Sequence, residues 1–134
     1  LESRIDLTIE KHNLGYNCAQ AVLCTYCDLF DIDENTAFKI SESFGLGMGG
    51  AQSTCGALSG LLMLLGLKNS VGIKEAGKSK PFTYKSAKEF SKKFEEIAGS
   101  TICKEIKGIE SSKVLLSCED CIREAAKLVE KDLL

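Results

Sequence analysis

The sequence has no tryptophan, one proline and one histidine, His12. With so little histidine, no Ser/His/Asp arrangement forms unless His12 serves, and no carboxylate pair stands out as an acid–base couple. His12 has no cysteine near it in sequence and reads as a surface residue. Sustained period-2 alternation is missing and β-branched runs are few, which excludes an ordinary sheet. Residues 57–67 form the longest apolar run, interrupted by Ser59, Gly60 and Gly66, well short of the ~20 apolar residues a bilayer crossing needs. An excess of one charge is also missing. Lys plus Arg number 17 against 19 Asp plus Glu, so nothing global favours nucleic acid or membrane insertion. Residues 1–6 carry no secretory signal. The expectation is a cytoplasmic protein, with export left open because the first residue is not Met.

What the sequence does have is cysteine, seven in 134 residues, at positions 18, 24, 27, 55, 103, 118 and 121. An odd count, in a chain long enough to bury its own core, does not suit a disulfide-built secreted scaffold. Reactive or metal-binding thiols suit it better.

Helical periodicity recurs along the chain and predicts a single all-α domain over residues 1–134, a bundle of about five or six helices. Ile5 and Ile9 mark a short first helix ending near Lys11 and His12. Asn17, with Gln20 three residues on, has the form of a capping box. It opens a helix whose apolar stripe is Cys18, Val22, Tyr26 and Leu29. Asp33 caps a third helix carrying Ala37, Phe38 and Phe44, which stops at Gly45. Thr54 is the expected cap of an apolar helix from Cys55 to about Leu67. Residues 68–81 read as a long loop, and Thr83 as the cap of an amphipathic helix with Ala87, Phe90, Phe94 and Ile97 that ends at Gly99. A turn over 101–106 follows. Ser117 then caps the last helix, with Ile122, Ala125, Ala126, Val129 and Leu133 on one face.

These boundaries give four cysteines one address. Cys18 follows Asn17, Cys55 follows Thr54, Cys118 follows Ser117, and Cys103 lies two residues after Thr101. Each then sits in the first turn of a helix, where unpaired N–H groups and the positive end of the helix dipole favour thiolate over thiol. Simple core filling by small cysteines is the plainer alternative, but packing has no preference for first turns.

The remaining cysteines are less telling. Cys118 and Cys121 make a C-x-x-C able to close a disulfide or share a metal, though Glu119 and Asp120 between them would raise both pKa values. Cys24 and Cys27 fall away from the Cys18 stripe and read as peripheral. A zinc site uniting the two pairs is conceivable by ligand type alone. Residues 45–50 spell G-x-G-x-x-G, but a helix precedes them where a dinucleotide site needs a strand. What survives is a turn in which Gly47, Gly49 and Gly50 let backbone approach a ligand or cofactor closely, just before Cys55. Gly56 and Gly60, four residues apart, permit a second helix to cross close to Cys55. Eight lysines between 68 and 93, against Glu75 and Glu89, read as a solvated face before they read as a docking surface for an acidic partner.

Residues 15–22 (GYNCAQAV), 47–50 (GMGG) and 55–60 (CGALSG), together with Cys103 and the segment from Cys118 to Ala126, resemble the C_GCAxxG_C_C family of redox-active proteins over nearly the whole chain. The resemblance implies a small helical protein encoded beside transporter or oxidoreductase genes, with such a system as its expected partner and a suspected prosthetic group such as an iron–sulfur cluster. It places the family's four cysteines on Cys18, Cys55, Cys103 and Cys118, with Cys121 competing for the last position. Cys24, Cys27 and Cys121 are then extras.

Two site chemistries follow. In the first, Cys18, Cys55, Cys103 and Cys118 converge to bind an iron–sulfur cluster or Zn for electron transfer with a redox partner protein. In the alternative, the protein is a metal-free thiol–disulfide oxidoreductase. Cys55 is then the attacking thiolate, resolved by Cys18, Cys103 or Cys118. A non-catalytic helical module with packed cysteines is the third reading.

Overall fold

The computed structural model describes residues 2–134, and among them every regular element is helical. The helices are α1 (Ile5–Asn13), α2 (Cys18–Tyr26), α3 (Glu34–Ser41), α4 (Gly56–Asn69), α5 (Lys80–Ala98), α6 (Cys103–Lys107) and α7 (Cys118–Leu128). The all-α single bundle is as the periodicity predicts, while most of the segment expected as a turn over 101–106 belongs to the short α6.

Local sequence sets most helix starts. Asn17 accepts a hydrogen bond from the Gln20 N–H while the Gln20 side chain accepts from the Asn17 N–H, a complete capping box. Asp33 caps Thr36 and Ser117 caps Asp120 in the same way. Gly99 closes α5 in the left-handed conformation. Two expected caps differ. Cys55 itself, not Thr54, is the cap residue of α4, and α5 begins a turn earlier than Thr83, at Lys80 and Pro81. Pro81 is tolerated there because a first-turn N–H has no helical acceptor. Thr83 lies inside that turn, and its hydroxyl oxygen has no hydrogen-bond partner among the described residues.

α2 and α4 form the centre. Their crossing is close because Gly60 lies against α2: a Cβ there would stand 2.8 Å from the Ala19 carbonyl and 3.1 Å from the Val22 Cβ. α1, α4 and α2 all pack on α7, α5 covers α4 and α7, and α3 covers α2. The enclosed side chains include Leu23, Tyr26, Leu58, Leu61, Leu64, Phe94 and Ile122, each 1 % exposed or less. Burying each such side chain stabilises the fold by about 1.5–3 kcal/mol.

Because α2 is central, nearly its whole circumference is buried, from Ala19 to Tyr26. This corrects the peripheral placement of Cys24 and Cys27, which are 3 % and 1 % exposed. The stripe argument assumed an amphipathic helix with one solvent face, and α2 has none. The chain ends are fastened at the far end of α2: the Tyr26 hydroxyl donates to Glu130 at 2.5 Å, and the Arg4 N–H donates to the same carboxylate at 2.7 Å.

Candidate functional site

The starts of α4 and α6 are held side by side by a single antiparallel bridge between Thr54 and Ile102. The Cys55 N–H donates to the Thr101 carbonyl at 2.7 Å, and the Cys103 N–H donates to the Ser53 carbonyl at 2.9 Å. Thr54 does not cap α4: it is the bridged residue, with the hydrogen bonds made by its neighbours Ser53 and Cys55, and the helix starts one residue later. Gly47 completes the support. It adopts φ +53°, and a Cβ on it would lie 2.5 Å from the Cys103 Cβ. Only glycine allows the preceding loop to lie this close to Cys103.

Around these starts lies a pocket of about 180 Å³. Five cysteines line it: Cys18, Cys55, Cys103, Cys118 and Cys121. The structure thus brings together all four thiols that the helix-start argument selected, and adds Cys121. His12 and Lys107 also face the pocket. The surface placement of His12 is therefore corrected: the end of α1 lies beside the start of α2, and the His12 Nδ1 is 3.0 Å from the Tyr16 carbonyl. Gly47, Gly49 and Gly50 do not line the pocket. Gly47 backs Cys103, while the Cβ positions of Gly49 and Gly50 open onto empty space. From that loop Leu46 is the residue on the wall.

The thiols are arranged as two pairs that cross between helices. Cys118 faces Cys18, and Cys121 faces Cys55. Cys118 and Cys18 are half-buried, whereas Cys55 and Cys121 are 6 % and 2 % exposed. In each pair the pKa of one sulfur is raised and that of the other is lowered. Pairing with Cys18 is the largest influence on Cys118. It lowers the Cys118 pKa to about 5 against the opposing effect of burial, with the Lys107 ammonium adding to it. The Lys107 Nζ stands 3.5 Å from the Cys118 sulfur. In return the Cys118 charge raises the Lys107 pKa, so this lysine stays protonated. Cys18 is pushed up by the neighbouring Cys118 and then by burial.

The inner pair repeats the pattern. Cys55 is lowered first by Cys121, against burial, and then by the Ala57 and Leu58 N–H groups at the start of α4. Those N–H groups face the sulfur without reaching cap hydrogen-bond geometry. Cys121 is pushed up by Cys55 and by burial. Cys103, at the start of a five-residue helix, is raised by burial and by the Cys55 charge.

A helix start alone therefore does not make a thiolate here. Of the four cysteines with that address, two are lowered and two raised, because burial and the neighbouring sulfur outweigh a dipole contribution of about 0.3–1 kcal/mol. The acidic residues of the C-x-x-C turn are not the influence expected of them either. Glu119 and Asp120 both pair with Arg123, and neither is among the main influences on Cys118 or Cys121.

Lys107 and His12 are what the sequence reading missed; Cys121, expected as a competitor of Cys118, lines the pocket together with it. Lys107 carried a usable signal, since it lies four residues after Cys103 and so on the same helix face. Cys24 and Cys27 stay out of the pocket. Cys24 is pushed up to about 12 by burial, which suits a packed core thiol.

Four helix starts that deliver thiols into one pocket define an all-helical protein with a clustered-cysteine site. The chain matches the family model described as "Putative redox-active protein (C_GCAxxG_C_C)" over residues 16–131, and it belongs to that family. No curated protein and no solved structure matches it. Among the described residues no helix is long and apolar enough to cross a membrane.

Proposed function

We propose that the protein is a thiol–disulfide oxidoreductase in which Cys118 is the attacking thiolate and Cys18 the resolving thiol. One observation carries this reading: the half-buried Cys118 sulfur lies 3.5 Å from the Lys107 ammonium and shares its pocket with the neighbouring Cys18 thiol. An accessible thiolate with a stabilising cation and an adjacent second thiol is what exchange requires. Cys55, the first choice from sequence, is the more enclosed of the two lowered thiols.

The step balances without any further reagent. The Cys118 thiolate attacks one sulfur of a substrate disulfide; that S–S bond breaks and the second substrate sulfur leaves as thiolate. Cys18 then gives up its proton to a departing sulfur and attacks the Cys118 sulfur. A Cys18–Cys118 disulfide forms and the first substrate sulfur is released. The substrate gains two electrons and the protein loses two. Lys107 stabilises the Cys118 thiolate before attack and whenever Cys118 leaves in the reverse direction.

A second reading is that the pocket holds zinc or an iron–sulfur cluster for electron transfer, favoured by five thiols on one wall. The donors fit in kind. They do not fit in arrangement: among the described residues no three His, Cys, Asp or Glu side chains are grouped to hold a metal ion. Cys18, Cys55, Cys103 and Cys118 are the residues that would have to draw together.

The two readings separate in one preparation. Protein purified anaerobically is assayed for metal and mixed with a small disulfide. On the exchange reading Cys118→Ser abolishes reaction, and Cys18→Ser stalls with half the substrate attached to Cys118, visible as added mass. Stoichiometric zinc, or iron with matching acid-labile sulfide, together with thiols unreactive until metal is removed, would overturn that reading in favour of the second.

A further inference from the structure

Cys55 and Cys121 form a second thiol pair on the wall of the same pocket, and the exchange reading above does not use them. Cys118 and Cys121 are three residues apart on α7, yet each faces a different helix: Cys118 meets Cys18 of α2, and Cys121 meets Cys55 at the start of α4. The pairs differ in access. Cys18 and Cys118 reach the surface, whereas Cys55 and Cys121 are 6 % and 2 % exposed, too enclosed for a protein partner to reach directly. The two pairs line the same pocket. Gly56, next to Cys55, abuts Cys18 so closely that a Cβ there would lie 3.1 Å from the Cys18 Cβ.

We propose that Cys55 and Cys121 are an inner dithiol that exchanges with the Cys18–Cys118 disulfide, so that a single exposed pair loads a protein able to hold two disulfides. This rests on the exchange reading of the outer pair. The Cys55 thiolate attacks the Cys18 sulfur of the outer disulfide, and Cys118 leaves as thiolate. Cys121 then loses its proton and attacks the Cys55 sulfur; the Cys55–Cys121 disulfide forms, and Cys18 leaves and takes that proton. The outer pair is again a thiolate and a thiol, ready for a second substrate disulfide. Two electrons have moved outward from the inner pair, and no outside oxidant or reductant enters the transfer.

The test counts disulfides. Reduced full-length protein carrying Cys24→Ala, Cys27→Ala and Cys103→Ala, so that only the two pairs remain, is titrated anaerobically with an aromatic disulfide whose released thiol is coloured. Two equivalents should be consumed in a fast and a slower phase, ending in Cys18–Cys118 and Cys55–Cys121 linkages by peptide mapping. Adding Cys121→Ala should leave the fast phase unchanged and limit the protein to one intramolecular disulfide, the odd thiol ending free or carrying half the probe, seen as added mass. Cys55→Ala serves the same purpose if that variant does not fold. A fast phase followed by uptake of only one equivalent in the parent would overturn the inner pair while leaving the outer reading intact. A second phase in the parent that adds half the probe's mass instead of forming a Cys55–Cys121 linkage would overturn it as well. Absence of the fast phase in the parent would overturn the outer reading itself.

Discussion

Replacing Lys107 by Met removes the cation beside Cys118 while keeping most of the side-chain bulk. At 3.5 Å the Coulomb attraction ranges from about 1 kcal/mol at a water-like dielectric to about 5 kcal/mol at an effective value near 20. Both groups are only partly buried, so solvent screening puts the net contribution in the lower half of that range, about 1.5–3 kcal/mol. At about 1.4 kcal/mol per pKa unit, Cys118 should titrate about 1–2 units above its present value of about 5. The contact with Cys18 persists, so Cys118 stays below an ordinary thiol. Alkylation of Cys118 by iodoacetamide, followed by peptide mass against pH, reads this directly. Near pH ~5.5 the rate should fall by about 3- to 25-fold, because the thiolate fraction drops from about three quarters to between about a quarter and a few per cent. Near pH ~8 it should hardly change, since Cys118 is ionised in both proteins. A pH profile that does not move would refute the role given to Lys107.

Three further outcomes follow from the packing. Gly60→Ala should destabilise the fold despite Ala's helix propensity. The new methyl meets a backbone carbonyl at 2.8 Å that cannot yield cheaply, so an overpacking cost of about 1–3 kcal/mol exceeds the roughly 1 kcal/mol gained; urea unfolding would show a lower midpoint. Stability should fall as pH rises above the ordinary thiol pKa of 9.0, because Cys18, Cys24, Cys27, Cys103 and Cys121 keep their protons in the fold and lose them on unfolding. Thermal unfolding scanned across that alkaline range would show the loss, and a flat profile would contradict it. Cys24→Ala with Cys27→Ala should lower the unfolding midpoint through lost packing in α2 and leave the rate of disulfide exchange unchanged; a slowed exchange would give that buried pair a part in the chemistry.

Much of the fold is legible locally. Asn17, Asp33, Ser117 and Gly99 announce helix ends through side-chain and backbone requirements that belong to a few neighbouring residues. The site is legible to the extent that it depends on those ends, which is how Cys18, Cys55, Cys103 and Cys118 stand out. Where the ends meet is a tertiary matter. The Thr54–Ile102 bridge joins segments far apart in the chain, and no local pattern predicts that it displaces the start of α4 by one residue. The pairing of Cys121 with Cys55 depends in the same way on the packing of α7 against α4. Cys24 and Cys27 were misplaced for a different reason: a helix enclosed on all sides has no polar face from which to judge direction.

The central claim is that Cys118 exchanges disulfides through Cys18, and the most direct measurement is a map of the first disulfide formed. Reduced protein receives less than one equivalent of a small disulfide, is quenched with acid within seconds, and is digested after the free thiols are blocked. The account predicts a Cys18–Cys118 linkage as the first intramolecular product, with Cys24, Cys27 and Cys103 still blocked as free thiols. A Cys118–Cys121 linkage within α7, or even labelling of all seven cysteines with no disulfide formed, would contradict it.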